Sequence, residues 1–280
     1  MSEKKHWSNS DIFKGRENEY IKSFVHRNYS VHFHTHSFYE LNIVLGGKGT
    51  HLIEGMSREV EKGCVFVIPP GVRHSYINGG DLDVYHMLIH LDFLENCFKE
   101  FLKTAGFSLF FEIEPYLRAQ YRENMFLVLT EEELAAVLSD IELMDSCSVL
   151  SDGEIYLNAA AKKLLAQFCA LISKRLGVEK AQTEEKAEVN IIAETLSFIH
   201  LNFDRRLTVE ELAARAKMSR ATFIRHFERV CGSSPHKYIL EYRLKKAKEY
   251  MAGGNKSLTE IALLCGFYDA SHLRRCLTEE

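Results

Sequence analysis

The sequence predicts a multidomain α and β protein: an antiparallel β-barrel or sandwich first, a helical segment next, and an all-α domain last. Three observations predict it. Residues 20–95 hold short apolar runs separated by turn-forming groups, the pattern of a half-buried antiparallel sheet. From about residue 130 the apolar period changes from two to 3.6. Charge divides the chain as well. Residues 185–280 carry 16 Lys and Arg against 13 Asp and Glu, and residues 1–184 carry 19 against 26. The net charge of -4 is therefore the sum of two unlike halves, which suits two domains with different partners.

Composition bounds the function classes. The chain has 280 residues, 46% hydrophobic and 26% charged, enough apolar material for two cores and too much for disorder. Neither a run of ~18 apolar residues nor a secretory leader is legible, so no membrane partner is expected. Seven scattered cysteines without a C-x-x-C pair read as reduced thiols of a cytoplasmic protein, not a disulfide frame or zinc–sulfur site.

The elements follow in order. The strands are punctuated by Gly46-Gly47-Lys48-Gly49, Glu54-Gly55, Pro69-Pro70-Gly71 and Asn78-Gly79-Gly80-Asp81. Val65 and Val67 alternate with Phe66 and Ile68, so that strand is apolar on both faces and is expected to be covered on both. Thr130 with Glu133 forms a capping box for a helix to about Asp145. Ser151 with Glu154 opens another, whose stripe of Leu157, Ala161, Leu164, Leu165, Phe168, Leu171 and Ile172 runs to about Leu176 before Gly177. Residues 178–188 are polar without apolar period and are expected to be a linker.

Beyond the linker, Thr208 caps a short helix, with Glu211 at the reciprocal position, and Ser219 caps a second one running to about Val230. Two helices and a tight turn make a helix-turn-helix. Phe223, Phe227 and Val230 form its buried stripe. Arg220, Ala221, Ile224 and Arg225 share another face, which can enter a DNA major groove. A second unit repeats the plan. Ser257 and Glu260 cap a helix through Leu264, Gly266 takes the left-handed turn, and a last helix from Ser271 buries Leu273 and Leu277. Its outward set is Ala270, Ser271, Arg274 and Arg275. Between the units a long amphipathic helix, Tyr238 to Met251, carries Arg243, Lys245, Lys246 and Lys248.

Span 192–280 resembles the double helix-turn-helix domain of AraC/XylS-type bacterial transcription regulators. The likeness rests on Leu212-Ala213, Met218-Ser219, Phe223 through Arg225-His226-Phe227, Gly232-Ser233-Ser234-Pro235 with Tyr238, and Arg243-Leu244 with Ala247. It continues in Ile261 through Phe267 and Ser271 through Arg275. The resemblance implies two recognition helices in successive major-groove segments, ~34 Å apart on one face of the DNA. It also departs from the family. Leu277-Thr278-Glu279-Glu280 stands where the family has further basic residues and another helix, so the end of the domain is expected to be shortened or diverged. A derivative with impaired DNA binding is therefore one expected alternative.

In the first half, His32, His34 and His36 alternate and Glu40 shares their parity, so on one strand all four face one way. The spacing is His34-x-His36-x3-Glu40-x6-Gly47, followed by Gly63-x5-Pro69-x-Gly71-x2-His74-x3-Asn78. Histidines with a carboxylate can hold Zn, Ni, Mn or Fe with open positions. These two strings resemble the paired motifs of the cupin β-barrel, the first lacking its leading glycine because Asn28 stands there. The resemblance implies that His34, His36, Glu40 and His74 face a cavity. Three roles stay open for them: metal ligands, direct partners of an organic effector, or structural histidines. His32, Tyr76 and Asn78 are candidate pocket residues.

The expected organisation is a cupin-like effector-sensing domain over 1–125, a helical dimerisation segment over 126–177, a linker over 178–188 and a double helix-turn-helix domain over 189–280. The family resemblance implies a homodimer joined through the Leu157–Ile172 stripe; the plain alternative is that these helices pack on the barrel. The expected function is transcriptional regulation, with promoter DNA, RNA polymerase and a small molecule such as a sugar or related metabolite as partners. The competing class is a metal-dependent cupin oxygenase, isomerase or epimerase with an accessory helical domain.

Overall fold

The computed structural model describes residues 5–13, 19–77, 80–120, 127–147, 150–178, 184–252 and 256–278. The chain divides into two compact units, Met1–Val178 and Glu179–Glu280.

The first unit holds strands β1 (Lys5–Trp7), β2 (Ile21–His26), β3 (Val31–His36), β4 (Tyr39–Gly46), β5 (Lys48–Ile53), β6 (Met56–Glu61), β7 (Cys64–Ile68), β8 (His74–Ile77), β9 (Asp83–Ile89) and β10 (Leu127–Val128). They form two five-stranded sheets, ordered β1-β3-β8-β5-β6 and β10-β7-β4-β9-β2. Pairing is antiparallel except between β1 and β3. The sheets face each other across one core, to which the first contributes Val60 and Tyr76 and the second Val44, Cys64, Phe66, Ile68 and Val84. Every residue of β7 is buried, as its two apolar faces require. At the β4–β5 turn Gly47 has φ +72°, and a Cβ there would stand 2.0 Å from the Asp81 carbonyl oxygen. Only glycine fits that turn.

Helices α1 (Asn9–Ile12), α2 (Leu91–Asn96) and α3 (Ala105–Phe107), a π-helical turn (Ser108–Ile113), α4 (Glu114–Gln120), α5 (Glu131–Cys147) and α6 (Gly153–Val178) complete this unit. The Thr130–Glu133 capping box closes as expected, with bonds of 2.8 and 3.2 Å. Helix α6 differs from expectation in two ways. It begins at Gly153 and continues through Gly177 to Val178. Its apolar stripe is spent within the chain: Ala161, Leu164, Leu165, Phe168 and Ile172 are buried, where α6 packs on α5, α3, the π-turn and β2. That stripe is not free to meet a second copy. Over Gly153–Arg175 this helix is long and apolar enough to cross a membrane, but its apolar side already has partners in the unit.

The second unit holds α7 (Glu184–Asn202), α8 (Val209–Arg215), α9 (Arg220–Cys231), α10 (Pro235–Ala252), α11 (Leu258–Leu264) and α12 (Ala270–Thr278). The expected linker 178–188 is shorter than its composition suggested. Residue 178 ends α6, residues 184–188 are the first turn of α7, and 179–183 lie outside the described residues. The physical reason is visible at Glu188. This carboxylate is buried, accepts from Arg229 Nε at 2.9 Å and lies 3.1 Å from His226 Nδ1, both on α9. A polar stretch thus finds its partners on another helix, a fact that apolar periodicity does not register.

Candidate metal centre and nucleic-acid interface

His34 and His36 lie on β3 and His74 on β8, all in the first sheet, and all three are buried. Glu40 does not share their strand, contrary to the expectation from parity. Ser37 and Phe38 interrupt the extended run, and Glu40 begins again on β4, in the opposite sheet. It reaches the same point from the other side. Its Oε2 lies 3.2 Å from His36 Nε2 and 3.7 Å from His74 Nε2. Ligating atoms of His34, Glu40 and His74 all lie within 4.8 Å of one another. His36 joins this group through Glu40.

Each histidine is oriented by a backbone carbonyl. Nδ1 bonds His32 O at 2.9 Å in His34, Phe38 O at 2.7 Å in His36 and Val72 O at 3.1 Å in His74. Carbonyls only accept, so Nδ1 carries the proton and a neutral ring presents its lone pair at Nε2. None of the three Nε2 atoms has a hydrogen-bond partner among the described residues. Lone pairs facing a carboxylate repel unless a cation lies between them. Burial, with His74 alongside, pushes His34 down to about 4, so this ring is neutral near pH 7. Burial pushes the Glu40 carboxyl up, but the close His36 and His74 rings and the bond from His86 outweigh that and hold it well below its ordinary value. Imidazoles fixed at Nδ1, converging with an ionised carboxylate, fit a divalent transition metal.

Two expectations for the pocket change. His32 is exposed, although its number has the right parity. Val31 pairs with Tyr76 and His34 with His74, with a register shift between them. Three residues of β3 thus span two of β8, and the bulge breaks the alternation. Val31, not His32, packs against the core. Tyr76 is buried with its hydroxyl lacking a hydrogen-bond partner among the described residues. Asn78 lies outside the described residues.

Sequence reasoning missed three residues. His86 on β9 donates from Nδ1 to Glu40 Oε1 at 2.7 Å. Asn42 on β4 pairs in register with His86, and His51 on β5 pairs with Tyr76. Asn42, His51 and His86 are all buried. The side-chain amide of Asn42 and both ring nitrogens of His51 have no hydrogen-bond partner among the described residues. Burial, and then the Arg118 charge, holds His51 well below its ordinary range. The signal that could have found them is a lone polar residue inside an otherwise apolar strand. The only tryptophan of the chain, Trp7, has its ring 4.5 Å from that of His34.

In the second unit, Thr208 and Ser219 cap α8 and α9 as expected. Glu211 does not complete its box; its carboxylate holds Arg205, with 2.6 Å from Oε1 to Nη2. Phe223, Phe227 and Val230 are buried. Opposite them Arg220, Ala221 and Arg225 are exposed and Ile224 is half-buried. The Arg220 guanidinium is held by Glu210 at 2.8 Å. On α12, Ser271, Arg274 and Arg275 are exposed and Ala270 is half-buried, above a buried Leu273. Arg243 is not part of a basic face. It donates to the Phe203 and Arg205 carbonyls at 2.7 Å each and ties α10 to the chain after α7. Glu279 and Glu280 lie outside the described residues.

Comparison with known proteins agrees with both halves. Residues 20–141 match the AraC-like ligand binding domain and residues 212–280 a helix-turn-helix domain. The chain is similar to the HTH-type transcriptional activator RhaS of Klebsiella pneumoniae (strain 342), 26% identical over 247 residues, covering 88% of this chain and 83% of that protein. Among solved structures, it is similar to the DNA-binding domain of AdpA in complex with a target DNA (32% identity, 32% of this chain, 80% of that one, TM-score 0.31). It is also similar to ToxT from Vibrio cholerae (14% identity, 92% and 94%, TM-score 0.34). With a cupin-like sensing domain at one end and paired helix-turn-helix units at the other, the chain belongs to the AraC/XylS-type transcription regulators, DNA-binding proteins that carry a small-molecule sensing domain.

Proposed function

We propose that the sensing domain holds a divalent transition metal, Zn, Ni, Mn or Fe, through His34, Glu40 and His74 with His36 beside them. A small-molecule effector then binds against this centre. One observation carries the reading: three buried Nε2 atoms with no hydrogen-bond partner among the described residues converge on one buried carboxylate. Tyr76, Asn42 and His51 supply the effector's polar contacts, since buried groups without partners are costly until something pairs with them. The effector shifts the population of conformers by its differential affinity for them.

The promoter contacts are assigned to Arg220, Ala221, Ile224 and Arg225 on α9, and Ala270, Ser271, Arg274 and Arg275 on α12. Arg220 exchanges Glu210 for phosphate on binding. The working form is a cytoplasmic homodimer that contacts RNA polymerase and has no catalytic role. Because the Leu157–Ile172 stripe is already used, dimer contacts are assigned to the exposed apolar residues Leu143, Leu150, Ile155 and Tyr156.

The test is metal analysis of full-length protein purified without added metal, beside a His34→Ala, His74→Ala double variant, followed by Trp7 fluorescence during titration of cobalt(II) into the same proteins stripped of metal by a chelator. The wild type retains metal and shows Trp7 quenching, and the double variant shows neither. Equal metal content in both would refute the assignment. In parallel, Arg225→Ala weakens specific promoter binding by about 1–3 kcal/mol, and unchanged affinity in an anisotropy titration removes Arg225 from the interface.

A further inference from the structure

The two helix-turn-helix units share one pattern of backbone hydrogen bonds through the turn, up to one residue. In the first, Ala216 N–H donates to Leu212 O, Lys217 N–H to Ala214 O and Met218 N–H to Ala213 O. In the second, Cys265 N–H donates to Ile261 O, Gly266 N–H to Leu263 O and Phe267 N–H to Ala262 O. Lys217 and Gly266 take the same left-handed conformation, with φ of 55° and 71°. The small residues Ala213 and Ala262 are both buried at the crossing. At the far side the match resumes: Phe223 N–H donates to Ser219 O and Leu273 N–H to Asp269 O, and both side chains are fully buried.

Between these matched points the first turn runs from Met218 directly to the cap Ser219. The second runs from Phe267 through Tyr268 to Asp269, whose Oδ1 accepts the His272 N–H at 2.7 Å. Tyr268 is therefore an insertion of one residue. It does no packing for the fold, because Phe267 fills the core and Asp269 closes the helix end. Its side chain is 87% exposed, on the leading end of α12. That is the end of a recognition helix whose residues meet base edges. Ser271 and Arg275 follow it at helical spacing, both exposed.

We propose that Tyr268 is a base-reading residue of the second helix-turn-helix, its ring packing on a thymine methyl in the major groove. The methyl is the one apolar feature of a base edge there. A stiff aromatic ring loses little conformational freedom when it lands on it. The first turn has no residue equivalent to Tyr268, so this thymine contact belongs to the second half-site alone.

The experiment selects binding sites from a random duplex library with the full chain and with Tyr268→Ala and Tyr268→Phe. Affinities for the wild-type-selected duplex are then measured by anisotropy, with thymine or uracil at each selected thymine position. Wild type and Tyr268→Phe should select the same site. Tyr268→Ala should lose one thymine preference in the second half-site and keep the rest. Uracil at that position should weaken the wild type by about 5–20-fold, the lower range for one altered base pair, and leave Tyr268→Ala unaffected. An alanine variant that selects the same site with the same affinity overturns the proposal. So does a loss uniform over all sequences and shared by Tyr268→Phe, which would make the hydroxyl a phosphate contact. Far-UV circular dichroism of both variants should match the wild type, as an exposed side chain requires.

Discussion

Gly266→Ala should unfold the second unit at markedly lower urea while leaving the first unit unchanged. Gly266 has φ +71°, and a Cβ would stand 2.7 Å from the Phe203 carbonyl oxygen and 2.9 Å from that of Asp204. A left-handed conformation costs an L-residue about 1–2 kcal/mol. The two close contacts are with backbone, which cannot swing aside, and overpacking of this kind adds about 1–3 kcal/mol. Moving Phe203 would also disturb the bond that its carbonyl accepts from Arg243 Nε at 2.7 Å. The sum is about 2–5 kcal/mol. With a urea dependence of roughly 1–3 kcal/mol per molar, the midpoint should fall by about 1–2 M. Far-UV circular dichroism follows the helices, and Trp7 fluorescence follows the first unit alone. Lys217→Gly at the equivalent turn is the control. It relieves a left-handed lysine and adds chain entropy to the unfolded state, so its net effect should be within about 1 kcal/mol of zero. An unchanged midpoint for Gly266→Ala, or an equal loss for Lys217→Gly, would refute the reasoning.

Three other outcomes are expected. Asn42→Leu should raise the melting temperature of ligand-free protein by a few degrees, since it removes a fully buried amide without a hydrogen-bond partner among the described residues, worth about 1–2 kcal/mol; a lower melting temperature would mean that the amide is satisfied by the fold. Glu188→Ala should destabilise the second unit by about 1–2 kcal/mol in urea melts, less than a fully buried pair, because the Arg229 side chain is 58% exposed and rehydrates; a loss below 0.3 kcal/mol on the same scale would show that α7 does not depend on this contact. Glu40 has a folded pKa held below its ordinary 4.5, so its stabilisation is complete above that pH and is lost as pH falls through the folded value. Trp7-monitored unfolding from pH 7 to pH 3 should show this loss in the wild type and a flatter response in Glu40→Gln; identical profiles would contradict the assignment.

How much was legible differs between the two units. In the second, capping residues and apolar stripes are local signals, and Ser219, Ser257, Gly266, Phe223 and Leu273 all take their expected places. The Glu188 contact was not legible, because its partners lie about forty residues away and follow no period. In the first, the metal-type group was legible in composition but not in geometry. Parity assigned His32, His34, His36 and Glu40 to one face of one strand. A bulge turned His32 out and a break at Ser37 and Phe38 sent Glu40 to the other sheet.

By itself, then, the sequence determined the kinds of element, their order, the caps that end them and the presence of His34, His36, Glu40 and His74 as a set. These depend on interactions within a few residues, where spacing along the chain equals spacing in space. Only the tertiary structure decided that the set is closed from two opposed sheets, that His86, Asn42 and His51 lie beside it, and that the α6 stripe is already covered. Each of these depends on which strands pair and in what register. A shift of one residue there reverses every side chain on the strand, and no local pattern records it.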